Sequence, residues 1–360
     1  MSAPTDKEGL LVLLGRVLTF NGDPYGSSKE KPFNYWENGS IVIENGLILD
    51  VGEQIDIPVG AQVIDYKEHL ICAGFIDAHV HYPQIDVIAS YGTQLLEWLN
   101  KYTFPQEAHF SNKEVAERAY NFFLDECLKN GFTTAAVYCT SHPESVDAFF
   151  EESSRRNLRM IAGKVLMDRN APTNVCDTAK SGYDQSRALI DKWHGKGRNL
   201  YAVTPRFAPT SSAEQLELAG VLYKETDGVF VQSHISEHQE EVDWVKELFP
   251  EADSYLDVYL QFGLLGPRSL YGHGIHLSDA EIEKAAQAYA EDVADHAADP
   301  CAGAAIGVDG ARVVVRLDLE AEVPPGLGVE LDDACIVVED ADAPGLVELL
   351  GRALDGRLEQ

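Results

Sequence analysis

From Ile71 to Gly272 the chain alternates short apolar runs with longer stretches of helical period, and this alternation constrains its fold most. Residues 71–77, 133–138, 160–165, 200–204, 229–233 and 269–272 are apolar runs of strand length. Helical patterns lie between them at 113–129, 143–156, 181–194, 212–225 and 237–248. Strands joined through a helix pair in parallel, so the series builds βαβ units rather than hairpins. Nearly every run ends on polar residues, where a (β/α) barrel carries its active site. The expected fold class is α/β: a TIM-type barrel, incomplete because six strands are evident, with a small N-terminal β-domain and an unrelated acidic α+β tail.

The small β-domain is assigned to residues 1–70. Residues 10–14 and 41–44 are β-rich, and Glu44-Asn45-Gly46-Leu47 carries a hairpin turn signal. The barrel is assigned to 71–284. From Ala285 to Gln360 there is no Lys, Ser, Thr, Asn, Phe or Trp, whereas the earlier chain uses all of them. So abrupt a shift marks a boundary, and 285–360 is read as an acidic tail. Within it, 311–319 and 334–338 have strand character and 343–354 reads as an amphipathic helix.

The formal net charge of −31 argues against nucleic acid or an anionic membrane surface as partner. No apolar run reaches membrane-spanning length, and the first residues lack the pattern of a signal peptide. The six cysteines are scattered with no CxxC pair, so a reducing, cytoplasmic setting is expected.

Chemistry concentrates at the strand ends. His79 and His81 close the first apolar run. Residues two apart in a strand point the same way, so the two imidazoles are expected side by side, suited to a zinc-type metal. Pro83 follows and stops the strand. Ser233-His234-Ile235-Ser236-Glu237 adds a third imidazole and a carboxylate, and Tyr271-Gly272-His273-Gly274 a fourth imidazole between glycines. Thr204-Pro205-Arg206-Phe207 offers a guanidinium beside an aromatic ring. One histidine is usually a core or capping group; four on three strand ends point to metal catalysis. Glu237 suits a general acid–base role there, and would also favour the N-terminus of the helix it opens.

The segments 76–81, Leu95-Leu96-Glu97-Trp98-Leu99, Tyr102-Thr103-Phe104-Pro105, 204–207, 233–237 and 272–274 together resemble the guanine deaminases of the amidohydrolase superfamily. The likeness runs from the N-terminus to about Ile282. It implies one Zn2+ held by His79, His81 and His234, with His273 beside the attacking water and Glu237 as proton shuttle. It implies that Gln84, Arg206, Phe207, His234 and Glu237 contact a small-molecule purine, guanine, and that Trp98 and Leu99 line its pocket. The implied reaction converts guanine to xanthine and ammonia. Deaminases built on H-x-E with P-C-x-x-C are excluded because no CxxC exists. The fourth strand ends without a lysine that could bridge two metals, which favours a single ion.

The resemblance also calls for an aspartate at the end of the eighth strand, in a Gly-Thr-Asp setting after a Cys-Pro-x-Ser-Asn segment. Neither occurs, and Asp309 in Ile306-Gly307-Val308-Asp309-Gly310 is the nearest echo. A non-catalytic chimera that binds metal or purine without turnover therefore stands as the alternative. Whether the chain forms a homo-oligomer is left open.

Overall fold

The structure is a computed structural model and describes residues 9–21, 32–53, 55–92 and 94–293, with the short strands Ala305–Ile306, Val314–Val315, Val329–Glu330 and Cys335–Val337. Its contacts separate two compact units.

The first unit is a sheet of β1 (Leu10–Phe20), β2 (Phe33–Glu44), β3 (Leu47–Glu53) and β4 (Gln62–Ala73), with Val329–Glu330 pairing β3 and Cys335–Val337 pairing β4. β2 and β3 form the expected hairpin. Asn45 (φ 54°) and Gly46 (φ 83°) both take left-handed backbone there, the conformation that an Asn-Gly turn accommodates. Leu13, Val17, Ile41 and Ile71 form its buried centre.

The second unit is mostly parallel. Its strands are β5 (Phe75–His81), β6 (Phe132–Tyr138), β7 (Arg159–Gly163), β8 (Val165–Leu166), β9 (Leu200–Pro205), β10 (Phe230–Ile235), β11 (Ser269–His273), β12 (Ala305–Ile306) and β13 (Val314–Val315). They order as β13-β12-β11-β10-β9-β7-β6-β5, with β8 on β9; only β12 with β13 is antiparallel among these pairs. The helices are α1 (Leu95–Trp98), α2 (Phe104–Glu107), α3 (Lys113–Lys129), α4 (Pro143–Arg155), α5 (Ala179–Trp193), α6 (Ala213–Glu225), α7 (Gln239–Leu248), α8 (Tyr255–Gln261) and α9 (Asp279–Val293). Asn112, Thr178, Ser212 and Ser254 cap α3, α5, α6 and α8 by accepting backbone N–H bonds. Each such cap contributes about 1 kcal/mol.

β-Branched and small residues on the strands (Val137, Ala162, Val203, Val231) pack against Phe149, Leu189 and Leu216 of the helices. Burying a side chain such as Phe149 contributes roughly 1.5–3 kcal/mol. This packing fixes the strand ends as a rigid platform for the site.

Several expectations need adjusting. The apolar run 71–77 is not one strand: Ile71–Ala73 end β4, and β5 begins at Phe75 after Gly74. The six expected parallel strands are present, and β12 and β13 extend their sheet. β13 falls within the strand expected over 311–319, and Cys335–Val337 within that over 334–338. Asp309 and the helix expected over 343–354 lie outside the described residues. The described cysteines Cys72, Cys127, Cys139 and Cys176 are free thiols. Among the described residues no helix is long and apolar enough to cross a membrane.

Candidate active site

His79 and His81 stand at the end of β5, and His234 near the end of β10. One ligand nitrogen from each lies within 4.8 Å of the others. The two imidazoles of β5 stand side by side, as alternation along a strand predicts. The strand is bulged against β6 between Asp77 and Val80, and the rings meet at 76° with centroids 5.3 Å apart. His234 is held from behind: its Nδ1 lies 2.6 Å from the Arg206 carbonyl. A carbonyl can only accept, so Nδ1 carries the proton and Nε2 presents a lone pair. That Nε2 faces the Nε2 of His81 at 3.0 Å, while Nδ1 of His81 is buried without a hydrogen-bond partner. With the proton of His81 on Nδ1, two Nε2 lone pairs face each other with no hydrogen between them, a conflict that a cation held between the rings would remove.

Burial, and then the positive charge of neighbouring His273 and Arg206, pushes the His79 imidazolium down to about 3. Burial likewise drives His81 and His234 well below the ordinary histidine range, with the other charged groups of the cluster adding to it. Neutral imidazole is the form that ligates metal, so this donor set fits a divalent ion of zinc type.

Beside the triad, Nε2 of His273 lies 3.3 Å from Oε2 of Glu237. Both groups sit at bends that cost backbone energy. His273 takes φ 74°, and Ser236, just before Glu237, takes φ 51°. The bends are held by hydrogen bonds: Gly274 donates to the Ile235 carbonyl at 2.8 Å, and Glu237 N–H donates to Oε2 of Glu241 at 3.0 Å. Tyr255 OH in turn donates to the other Glu241 oxygen at 2.6 Å.

A cavity of about 250 Å³ opens on these groups, lined by His79, His81, Gln84, Leu95, Trp98, Leu99, Arg206, Phe207, His234, Glu237 and His273. All ten residues singled out from the sequence are among them. Phe207 and Leu99 are buried with Phe104 in one apolar cluster that Trp98 and Leu95 pack against. Trp98 donates from Nε1 to the Ser90 carbonyl at 3.1 Å, which fixes its ring.

Three neighbours were not anticipated. Leu95 lines the cavity from within a block already singled out for Trp98 and Leu99. Tyr138 ends β6 and stacks on His81, with centroids 4.4 Å apart and planes at 23°. Glu107 follows Tyr102-Thr103-Phe104-Pro105 by two residues and binds Arg206 from behind the cavity.

Comparison with known proteins places this geometry. The Amidohydrolase family pattern matches residues 70–315. A guanine deaminase of Escherichia coli is 49% identical over 252 residues, covering 69% of this chain and 57% of its own length. A solved E. coli guanine deaminase superposes with a TM-score of 0.74 at 44% identity, covering 77% of this chain and 66% of that one. A guanine deaminase of C. acetobutylicum with guanine bound in its active site gives 0.69 at 31% identity, covering 77% and 65%. The chain thus spans little more than half the length of the curated E. coli relative. With the family pattern running through the β5 histidines, both later strand-end histidines and the pocket, this chain belongs to the amidohydrolase family.

Proposed function

We propose that the chain hydrolyses guanine to xanthine and ammonia, using one zinc ion. The observation that carries this reading is that three neutral imidazoles, a carboxylate–imidazole pair, a buried guanidinium and a half-buried amide face one cavity. Its likeness to guanine deaminases supports the substrate, and it does not favour the alternative of a chain that binds without turnover.

His79, His81 and His234 would hold the metal, a divalent ion of the kind this family generally uses. When bound, zinc polarises water and makes it a nucleophile near neutral pH. Glu237 takes the proton of that water and delivers it to a ring nitrogen of the substrate, so that the exocyclic amine leaves as ammonia. His273, 3.3 Å from Glu237, holds the carboxylate in line. Arg206 donates toward the purine oxygen, Gln84 engages the ring edge, and Phe207 with Trp98 and Leu99 clamps a flat heterocycle and excludes water. The net change adds one water and releases one ammonia.

The test is to incubate zinc-replete protein with guanine and measure xanthine and ammonia. Equal release of both is expected, and Glu237→Gln should lower kcat by about 10²–10⁴-fold with zinc retained. Folded, zinc-replete protein that makes no xanthine refutes the reading.

A further inference from the structure

One buried carboxylate beside the cavity is used neither by the metal triad nor by the proton transfer. Glu107 ends α2 and is fully buried. Its two oxygens lie 2.9 and 2.8 Å from Nη1 of Arg206, and Oε1 also lies 3.2 Å from Nε2 of Gln84. Gln84 and Arg206 follow different strands, β5 and β9, and one acid ties them together.

We propose that Glu107 is a positioning residue that sets the hydrogen-bond polarity of the pocket and so selects 6-oxopurines over 6-aminopurines. This role rests on the proposed contact of Gln84 and Arg206 with the purine. A carboxylate only accepts, so the Gln84 amide must turn its NH2 toward Glu107. Its carbonyl oxygen is then what Gln84 offers to a ligand. A guanidinium only donates; Nη1 of Arg206 is engaged by Glu107, and its remaining N–H groups serve the ligand. The ring of Phe104, 5.3 Å from Arg206 Cζ, holds the guanidinium plane. The pocket thereby presents one donor and one acceptor in fixed order.

A 6-oxopurine offers the complement, a carbonyl oxygen and a ring N–H. A 6-aminopurine offers an amino donor and a bare ring nitrogen, which sets donor against donor and acceptor against acceptor. Without the Glu107 charge, the Gln84 amide can rotate by half a turn and offer its NH2 instead. The order then ceases to be fixed.

Hypoxanthine and adenine test this directly, because they differ at the 6-position and its neighbouring ring nitrogen and both lack the 2-amino group that the proposed reaction removes. Zinc-loaded wild type should bind hypoxanthine more tightly than adenine by on the order of 10²-fold, the scale of leaving a buried donor or acceptor unpaired. In Glu107→Gln the ratio should fall at least tenfold, with hypoxanthine binding weakened and adenine binding strengthened. Strengthened adenine binding is a signature that mere loosening of the site does not produce. Gln84→Met, which leaves the Glu107–Arg206 pair whole, should lower the ratio by removing the acceptor and serves if Glu107→Gln does not fold. A wild-type ratio in either folded variant, or equal weakening of both ligands in Glu107→Gln, overturns the proposal. Absence of binding of either purine by folded, zinc-loaded wild type instead overturns the purine reading beneath it.

Discussion

The ring of His79 lies against the backbone of Gly272: a Cβ at 272 would stand 2.4 Å from Cε1 and 2.6 Å from Nδ1 of that ring. No side chain other than hydrogen fits there without moving His79. Gly272→Ala should therefore displace the imidazole and weaken zinc binding by about 10–100-fold, the scale on which changes around metal ligands act. Competition with a chelator measures it. Unchanged zinc affinity in a folded variant would show that His79 is not a ligand in the geometry described.

His273 holds a left-handed backbone, which asparagine adopts more readily than most residues. His273→Asn should preserve the loop while removing the imidazole beside Glu237. The expected result is a fall in kcat of about 10²-fold or more with KM nearly unchanged, as for loss of the group that holds the proton carrier Glu237 in line. A large rise in KM with kcat retained would instead make His273 a binding residue.

Lys164 and Asp177 form a buried ion pair, with side chains 0% and 6% exposed, and Gln215 donates to the other Asp177 oxygen at 2.7 Å. Burial pushes the ammonium down and the carboxyl up, each against the attraction of its partner, so desolvation outweighs the pairing. Lys164→Met leaves the carboxylate buried and unpaired and should cost about 3–5 kcal/mol of stability. Adding Asp177→Asn, which needs no counter-charge and keeps an acceptor for Gln215, should restore most of it. Urea unfolding of both variants gives the comparison; equal losses would contradict it.

His194 follows α5, accepts the Tyr201 N–H at Nδ1 (3.1 Å), and donates from Nε2 to the Asp227 carbonyl (3.0 Å). Burial lowers its pKa below the ordinary value of 6.5, against the opposing effect of that Asp227 bond. The folded state therefore binds fewer protons than the unfolded chain. The stabilisation is present above pH 6.5 and is lost as pH falls below it. Between pH 7.5 and 5.5 the wild type should lose more unfolding free energy than His194→Gln. Parallel losses would show that His194 titrates normally.

The parts of the site readable in the sequence are those with local rules. His79 and His81 stand two apart at a strand end, His234 and His273 close later apolar runs, and glycines flank His273. The Lys113–Lys129 helix is legible because seventeen residues sustain one period and Asn112 caps it. Glu107 was not legible, because its partner Arg206 lies 99 residues away and no periodicity links them. The division between β4 and β5 was hidden inside a continuous apolar run, with Gly74 as the only punctuation. β12 spans two residues, too short for a pattern to register, whereas β13 falls inside the strand expected over 311–319. α8, with seven residues, carries Tyr259, whose hydroxyl supports the His234 carbonyl at 2.8 Å, a contact set by tertiary packing alone.

Zinc titration of metal-stripped protein, with guanine turnover followed in the same samples, bears most directly on the proposed chemistry. Xanthine formation should be absent without metal, rise with added zinc and level off at one ion per chain, with one ammonia released per xanthine. Turnover that survives complete metal removal, or a folded chain holding one zinc ion that leaves guanine unchanged, would contradict it.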